Sequence, residues 1–559
     1  MKLNWNPQLL RELKGRLKPR NILLTIALSL VGQFIIVLIS FQTQLLTRVT
    51  SDIFDKYCAP TFGENLDKRY QLKCLPDEYW QSWWRDIFVG LGLIGIVILL
   101  VAGTYMLIND LATEERRGTF NLTRLSPQSE KSIFIGKLLG VPILIYLFTA
   151  LALPLHLYSG LAAKIPLSLI LSFYAVVAVA SVFYYSAAML FGLVGSWLGS
   201  FQAWLGSGAV LIFLMLTKGI STTSYFNSTT WLKLLNPFCL IPNLSTTSFF
   251  EGFATGLERF KWFHFVLSGN VLTIVGFVLL NYGILTGFIW QSLQRCFRDQ
   301  NATMLSKQQS YLLTVCFTVL TIGCANYAAP ANRSPYALPL TENLFALSLL
   351  NFLLFLYLIA AITPHRQALQ DWARYRHQRV SSSKKLGYNS LVQDLIWGEK
   401  NPAVVAIAIN LIIVIIFLAF FILLSPAQQK GEIPYRVDEN RTWAFFGLAL
   451  NSILLMIYAS FAQLVLFMRI QQRALWTASA LGATILLPSV ISRLLGINGF
   501  SPLELFIYPF VLLLGNTVTA VWVIVVAQLL VLVLLNLQLT RQLRLAGDST
   551  SKALFKSGK

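Results

Sequence analysis

Four consecutive charged residues, Glu114-Glu115-Arg116-Arg117, stand inside the run Asn109-Asp110-Leu111-Ala112-Thr113-Glu114-Glu115-Arg116-Arg117-Gly118-Thr119-Phe120-Asn121-Leu122-Thr123-Arg124-Leu125-Ser126-Pro127. Two acids beside two bases can form ion pairs with a partner's surface; the alternative is an ordinary solvated loop. The run reads as a short helix that Gly118 can end, with Ser126-Pro127 starting the next element. Other chemistry has little material. The four histidines (His156, His264, His365 and His377) do not cluster by sequence and no CxxC pair exists, so zinc or haem ligation has little support. The string Ile135-Gly136-Lys137-Leu138 is not a phosphate-binding loop, which needs Ser or Thr after the Lys and a Gly five residues before the second one. ATP hydrolysis by this chain is therefore not expected, and no catalytic, cofactor-binding or metal-ligating residue is assigned.

The elements that must carry this segment are set by composition. Of 559 residues, 56% are hydrophobic and only 12% charged, with a mean hydropathy of +0.64. Average soluble chains carry about 25% charged residues, and one soluble core cannot hide this much apolar surface. The expected fold is all-α and polytopic. Twelve runs approach the roughly 20 apolar residues a span requires, from 21–46 to 516–539, the shortest being 310–327 and 475–492. Apart from His156, Lys218 and His264 near span ends, these runs hold no Asp, Glu, Lys, Arg or His. Transporters and pumps that power themselves usually keep such groups at membrane depth, so the energy source is expected in another subunit.

Six basic residues (Lys2, Arg11, Lys14, Arg16, Lys18 and Arg20) precede the first run, which places the N-terminus in the cytoplasm. Twelve crossings return the C-terminus to the same side, and 28 of the 44 Lys and Arg then lie inside. The net charge of +20 thus describes membrane orientation rather than a nucleic-acid-binding face. In residues 6–17, Leu9, Leu10, Leu13 and Leu17 share one helical face, the pattern of a helix lying in the membrane interface. Outside, Cys58 and Cys74 enclose 15 residues. A disulfide is compatible with an oxidising compartment, and two free thiols are the alternative. Gly195-x-x-x-Gly199 fits a small-residue helix-packing motif.

The order of acid, two bases, Gly-Thr, Leu, Ser-Pro and then Gly136-Lys137, placed after the second span, resembles the type-2 permeases of ABC (ATP-binding-cassette) exporters. The resemblance covers residues 1–290 best. It implies that Glu114, Glu115, Arg116, Arg117, Gly118 and Thr119 form a coupling helix that seats in a groove of a separate ATPase subunit, which would hold ATP and magnesium. It also implies an elbow helix over 1–20, a six-span half over 21–290 and a re-entrant pair within 220–262. A second permease chain would be a further partner, and the setting a bacterial plasma (inner) membrane.

Two later stretches look familiar from long members of the family: Trp290-Gln291-Ser292-Leu293 continuing through Arg295, Phe297-Arg298, Asn301-Ala302-Thr303 and Leu305-Ser306-Lys307, and then Trp397-Gly398-Glu399-Lys400-Asn401-Pro402. Their physical reading is basic interfacial anchors with Trp at headgroup level. Residues 291–309 then form a linker, 310–540 a second six-span half and 541–559 a tail. This second half departs from the family pattern, because Arg469–Ala474, where another coupling helix would fall, has no acid and no Gly-Thr. Competing readings are a secondary transporter, with a buried ion site of carbonyls and hydroxyls, and a membrane scaffold without transport.

Overall fold

A computed structural model describes residues 6–47, 59–60, 72–73, 76–218, 228–240, 261–267, 271–299, 301–325, 339–382, 387–425, 435–468, 472–494 and 518–556. Within them the chain is helical. The only strands among the described residues are two antiparallel pairs of two residues each, Ala59–Pro60 with Leu72–Lys73 and Lys261–Trp262 with Phe265–Val266. Backbone amides in hydrocarbon must be satisfied within their own segment, which is why apolar runs of this length become helices.

Ten described helices are long and apolar enough to cross a membrane. Many of their large apolar side chains face outward: Leu23 is 67% exposed, Phe34 66% and Val523 68%. Such faces are stable only in an apolar solvent, and the chain is a multi-pass integral membrane protein. Twelve were expected along the whole chain; the run read at 310–327 is the 17-residue helix Lys307–Gly323, and that read at 475–492 lies in the 22-residue helix Arg473–Leu494.

The chain divides into two compact units, residues 1–225 with 232–298, and 226–231 with 299–559. The first unit begins with α1 (Pro7–Arg16) and α2 (Pro19–Thr47). Next comes one long helical path: α3 (Pro76–Val97), a π-helical turn (Ile98–Ala102) and α4 (Gly103–Arg116). Short α5 (Thr119–Arg124) leads to α6 (Glu130–Gly140), α7 (Ile143–Ala162), α8 (Leu167–Val194), α9 (Gln202–Lys218) and α10 (Val271–Arg298). Helix α8 lies centrally, packed on α4 and α10, while α7 packs on α2 and α3. At the π turn Tyr185 donates to the Leu99 carbonyl at 2.5 Å, and a Cβ at Gly103 would lie 2.2 Å from its hydroxyl oxygen, so glycine is required there. Of the expected 220–262 pair, the described helical parts are helix Thr230–Leu234 and a 3₁₀ turn, Pro237–Leu240. The turn between them is held by Tyr184 and Tyr282, whose hydroxyls both donate to the Leu235 carbonyl.

The second unit contains α11 (Lys307–Gly323), α12 (Pro339–Ile362), α13 (Arg366–Ser382), α14 (Gly387–Trp397), α15 (Val404–Leu424), α16 (Tyr435–Phe467), α17 (Arg473–Leu494) and α18 (Val518–Lys556). Helix α18 runs without a break through most of the stretch expected as a tail. Its Val521 and Ile524 pack with Leu450 of α16.

Candidate coupling site

The charged run lies at the C-terminal end of the long α3–α4 path. Helix α4 stops because Gly118 takes a left-handed conformation (φ +69°), which a residue with a Cβ rarely adopts. The Thr119 hydroxyl donates back to the Glu114 carbonyl at 3.2 Å and α5 starts at once. The result is a tight helix–glycine–helix turn in which Glu115, Arg116, Arg117, Gly118 and Thr119 are exposed. Arg116 also reaches Ser200 at 2.9 Å. Leu125, just past α5, is 82% exposed, an unusual position for a leucine outside an apolar span.

Glu114 differs from the other five. It is buried, and its carboxylate meets Arg11 of α1 at 2.5 Å and Lys137 of α6 at 2.9 Å. Asp110, one turn earlier, meets Lys137 at 2.7 Å and Arg16 at 2.6 Å. Arg16 also pairs with Glu12 at 3.2 Å, and Gln8 donates to Glu12 at 3.0 Å. Three acids (Glu12, Asp110, Glu114) and three bases (Arg11, Arg16, Lys137) thus neutralise one another where α1, α4 and α6 meet. The three carboxylates lie within 4.8 Å of each other, a donor set that could hold a divalent cation. Here the fully buried Lys137 ammonium bridges two of them, so the chain supplies its own cation.

The packing that seats α1 was missed in the sequence. Beside the network, a Cβ at Gly136 would stand 2.8 Å from Gln8 Cβ and 2.9 Å from the Leu9 amide nitrogen, and one at Gly140 would stand 2.5 Å from Glu12 Cβ. Gly136-x-x-x-Gly140 is therefore the small-residue motif that lets two helices touch, and this spacing was the available signal. Gly195 and Gly199 do something else. Gly195 precedes the 3₁₀ turn Ser196–Phe201 between α8 and α9, and Gly199 lies inside that turn with φ +58°, where a Cβ would meet nothing. The face of α1 turned to the protein carries Gln8 and Glu12, while Leu10 and Leu17 remain exposed. Asn6 caps α1 by accepting from the Gln8 amide at 3.0 Å, and its side-chain amide donates to the Ser132 carbonyl.

The other side of the turn rests on the end of α10. Phe120 and Phe134 both meet Phe297 edge-on, Phe134 also meets Trp290, and the Arg124 guanidinium lies 4.7 Å from the Phe120 ring centre. Burial holds that guanidinium below its ordinary pKa, opposed by the Glu115 carboxylate. Arg298 pairs with Glu130 at 3.0 Å. Two stretches singled out separately in the sequence, 109–127 and 290–298, are thus one packed body.

In the second unit Lys307 joins the other two. Ser306 and Gln309 form a capping box at the start of α11. The buried Lys307 ammonium donates to the Leu395 carbonyl at 2.6 Å and to the Asn401 side-chain oxygen, while the Asn401 amide donates to the Asp394 carbonyl. Gly398 fits because a Cβ there would lie 2.4 Å from an Asp394 carboxylate oxygen. Burial lowers the Lys307 pKa to about 8, against the pull of Asp394 and Glu399. Trp397 of the same turn is 49% exposed. Cys58 and Cys74 lie outside the described residues. No protein-family model, curated protein or solved structure matches the chain.

Proposed function

We propose that this protein is the membrane subunit of an ABC exporter, driven by ATP hydrolysis in a separate ATPase. The observation that carries the reading is the exposed turn Glu115–Thr119, held rigid from beneath by the neutralised network at Asp110, Glu114 and Lys137. A turn that transmits force needs an outer face free for a partner and an inner face that cannot slip. Glu115, Arg116, Arg117 and Leu125 would contact the ATPase, and Glu114 would tie the turn to α1 and α6. Helix α1, with Leu10 and Leu17 exposed, would be the interfacial elbow, with both chain termini cytoplasmic in a bacterial inner membrane. The chain would work with a second permease chain, and its substrate would be amphipathic or lipid-linked. ATP and magnesium would belong to the partner.

The secondary-transporter alternative calls for buried oxygens free to hold an ion. The buried cluster Ser310, Thr314 and Asn410 is engaged internally: Thr314 donates to Asn410, Asn410 to Ser310, and Ser310 to the Lys307 carbonyl. Such bonds join α11 to α15 in the way polar residues hold membrane helices together.

The test is co-purification with the cognate ATPase, with ATPase stimulation as the second readout. Glu115→Lys should weaken both, since breaking a covered charge pair costs about 2–5 kcal/mol, whereas a solvated pair is worth about 0–1. Normal expression with full binding and stimulation in both Glu115→Lys and Gly118→Pro would refute the assignment.

A further inference from the structure

Helix α1 carries one acid, Glu12, which is buried and bound by Arg16 and Gln8. Arg16 also turns inward onto Asp110, and Arg11 reaches Glu114. What remains on the outside has a single character. From position 10 to position 20 every exposed residue is apolar, glycine, proline or cationic. The cations are Arg11, Lys14, Lys18 and Arg20, and the leucines are Leu10 and Leu17. No acid is exposed there. Helix α6, whose Gly136 and Gly140 seat α1, continues the pattern. Its exposed residues are Lys131, Ile135 and Leu139, spaced one turn apart on one side of the helix. Its acid, Glu130, is held by Arg298. Lys14, Lys18, Arg20 and Lys131 form no ion pair among the described residues.

Position and charge together identify what covers this surface. Only two residues separate α1 from α2, whose apolar run crosses the membrane, so α1 stays at the bilayer boundary. Its exposed leucines call for an apolar medium and its outward cations call for anions. The headgroup layer of an anionic leaflet supplies both. Four to eight Lys or Arg on an amphipathic helix form the pattern that anionic lipids recognise. A soluble anion would leave the leucines in water, and a zwitterionic lipid would leave the cations without a matching net charge.

We infer that this face of α1 and α6 binds anionic phospholipid headgroups, with Lys14, Lys18, Arg20 and Lys131 on the phosphates and Leu10 and Leu17 in the acyl boundary. The inference rests on the reading of α1 as an interfacial helix and needs no ATPase. The full-length protein is placed in nanodiscs of phosphatidylcholine alone or mixed with phosphatidylglycerol. Amide hydrogen exchange of residues 7–16 is the readout, with exchange in α8 as the internal control.

The expected result is protection of α1 about tenfold or more stronger with phosphatidylglycerol, lost in high salt, with α8 unchanged. Each Lys or Arg near an anionic surface is worth about fivefold in affinity. The triple variant Lys14→Gln, Lys18→Gln, Lys131→Gln should therefore abolish the gain while keeping wild-type protection in phosphatidylcholine, because these lysines lie outside the network around Asp110 and Glu114. If that variant is not monodisperse, Lys14→Gln alone should reduce the gain about fivefold. Leu10→Ser with Leu17→Ser should weaken protection in both lipids. Equal protection in the two lipids that still depends on the leucines leaves α1 interfacial and overturns the lipid-charge inference alone. Protection that depends on neither lipid charge nor the leucines overturns the interfacial reading as well. A gain reproduced by inorganic phosphate in phosphatidylcholine identifies a soluble-anion site and also overturns the inference.

Discussion

Replacing Lys137 with Met would test whether the charge network is what holds α4 against α6. The side chain has no exposed surface and bridges Asp110 at 2.7 Å and Glu114 at 2.9 Å. Methionine nearly keeps the volume and removes the charge, so packing loss is small and the effect is electrostatic. The two carboxylates would keep only Arg16 and Arg11, and a neutral cluster of three acids and three bases would carry one excess negative charge. Removing one partner of a buried pair costs about 3–5 kcal/mol. Arg11→Ala removes a pair whose arginine side chain is 56% exposed, for which about 0–1 kcal/mol is expected.

Amide hydrogen exchange of residues 130–140 in the purified protein reads the difference locally. At tenfold per 1.4 kcal/mol, Lys137→Met should lower protection there about a hundredfold or more, and Arg11→Ala by about fivefold at most. Adding Asp110→Asn to Lys137→Met restores neutrality, with two acids facing two arginines, and should recover much of the loss. Equal effects of the two single substitutions, or no recovery in the double variant, would refute the network argument.

Gly136→Leu should displace α1, since even its Cβ would meet the Leu9 backbone; faster tryptic cleavage at Arg11 and Lys14 with exchange in α8 unchanged is the expected outcome. Gly118→Ala meets no atom but must hold φ +69°, a cost of about 1–2 kcal/mol, whereas Gly118→Pro cannot reach that angle and should raise exchange across residues 113–124 far more. For Lys307 the folded pKa of about 8 lies below the unfolded value of roughly 10.4. The unfolded chain then binds more protons between those values, so stability should rise as pH increases through them, by up to about 3 kcal/mol. Thermal unfolding at pH 7.5 and 9.5 should show this gain in the wild type and not in Lys307→Met.

The all-α multi-pass character was determined by sequence alone, because long apolar runs in hydrocarbon can satisfy their amides only as helices. The helix end at Gly118 and the capping box at Ser306 were likewise local, each set by a residue acting on neighbours within a few positions. Helix boundaries were less legible: the run read at 310–327 is the helix Lys307–Gly323. Which residues face inward was decided only by tertiary structure. Glu114 and Glu115 are adjacent and identical in type, but a step of 100° around α4 turns one to Lys137 and leaves the other exposed. In α1 the leucines marked an apolar face, while the face that packs on the protein is Gln8 and Glu12, because Gly136, Gly140 and Lys137 lie opposite. Arg11 to Glu114, Arg16 to Asp110 and Lys307 to Asn401 each join residues about ninety to a hundred positions apart. Periodicity states which side of a helix is apolar; only the packed neighbours determine which charge meets which.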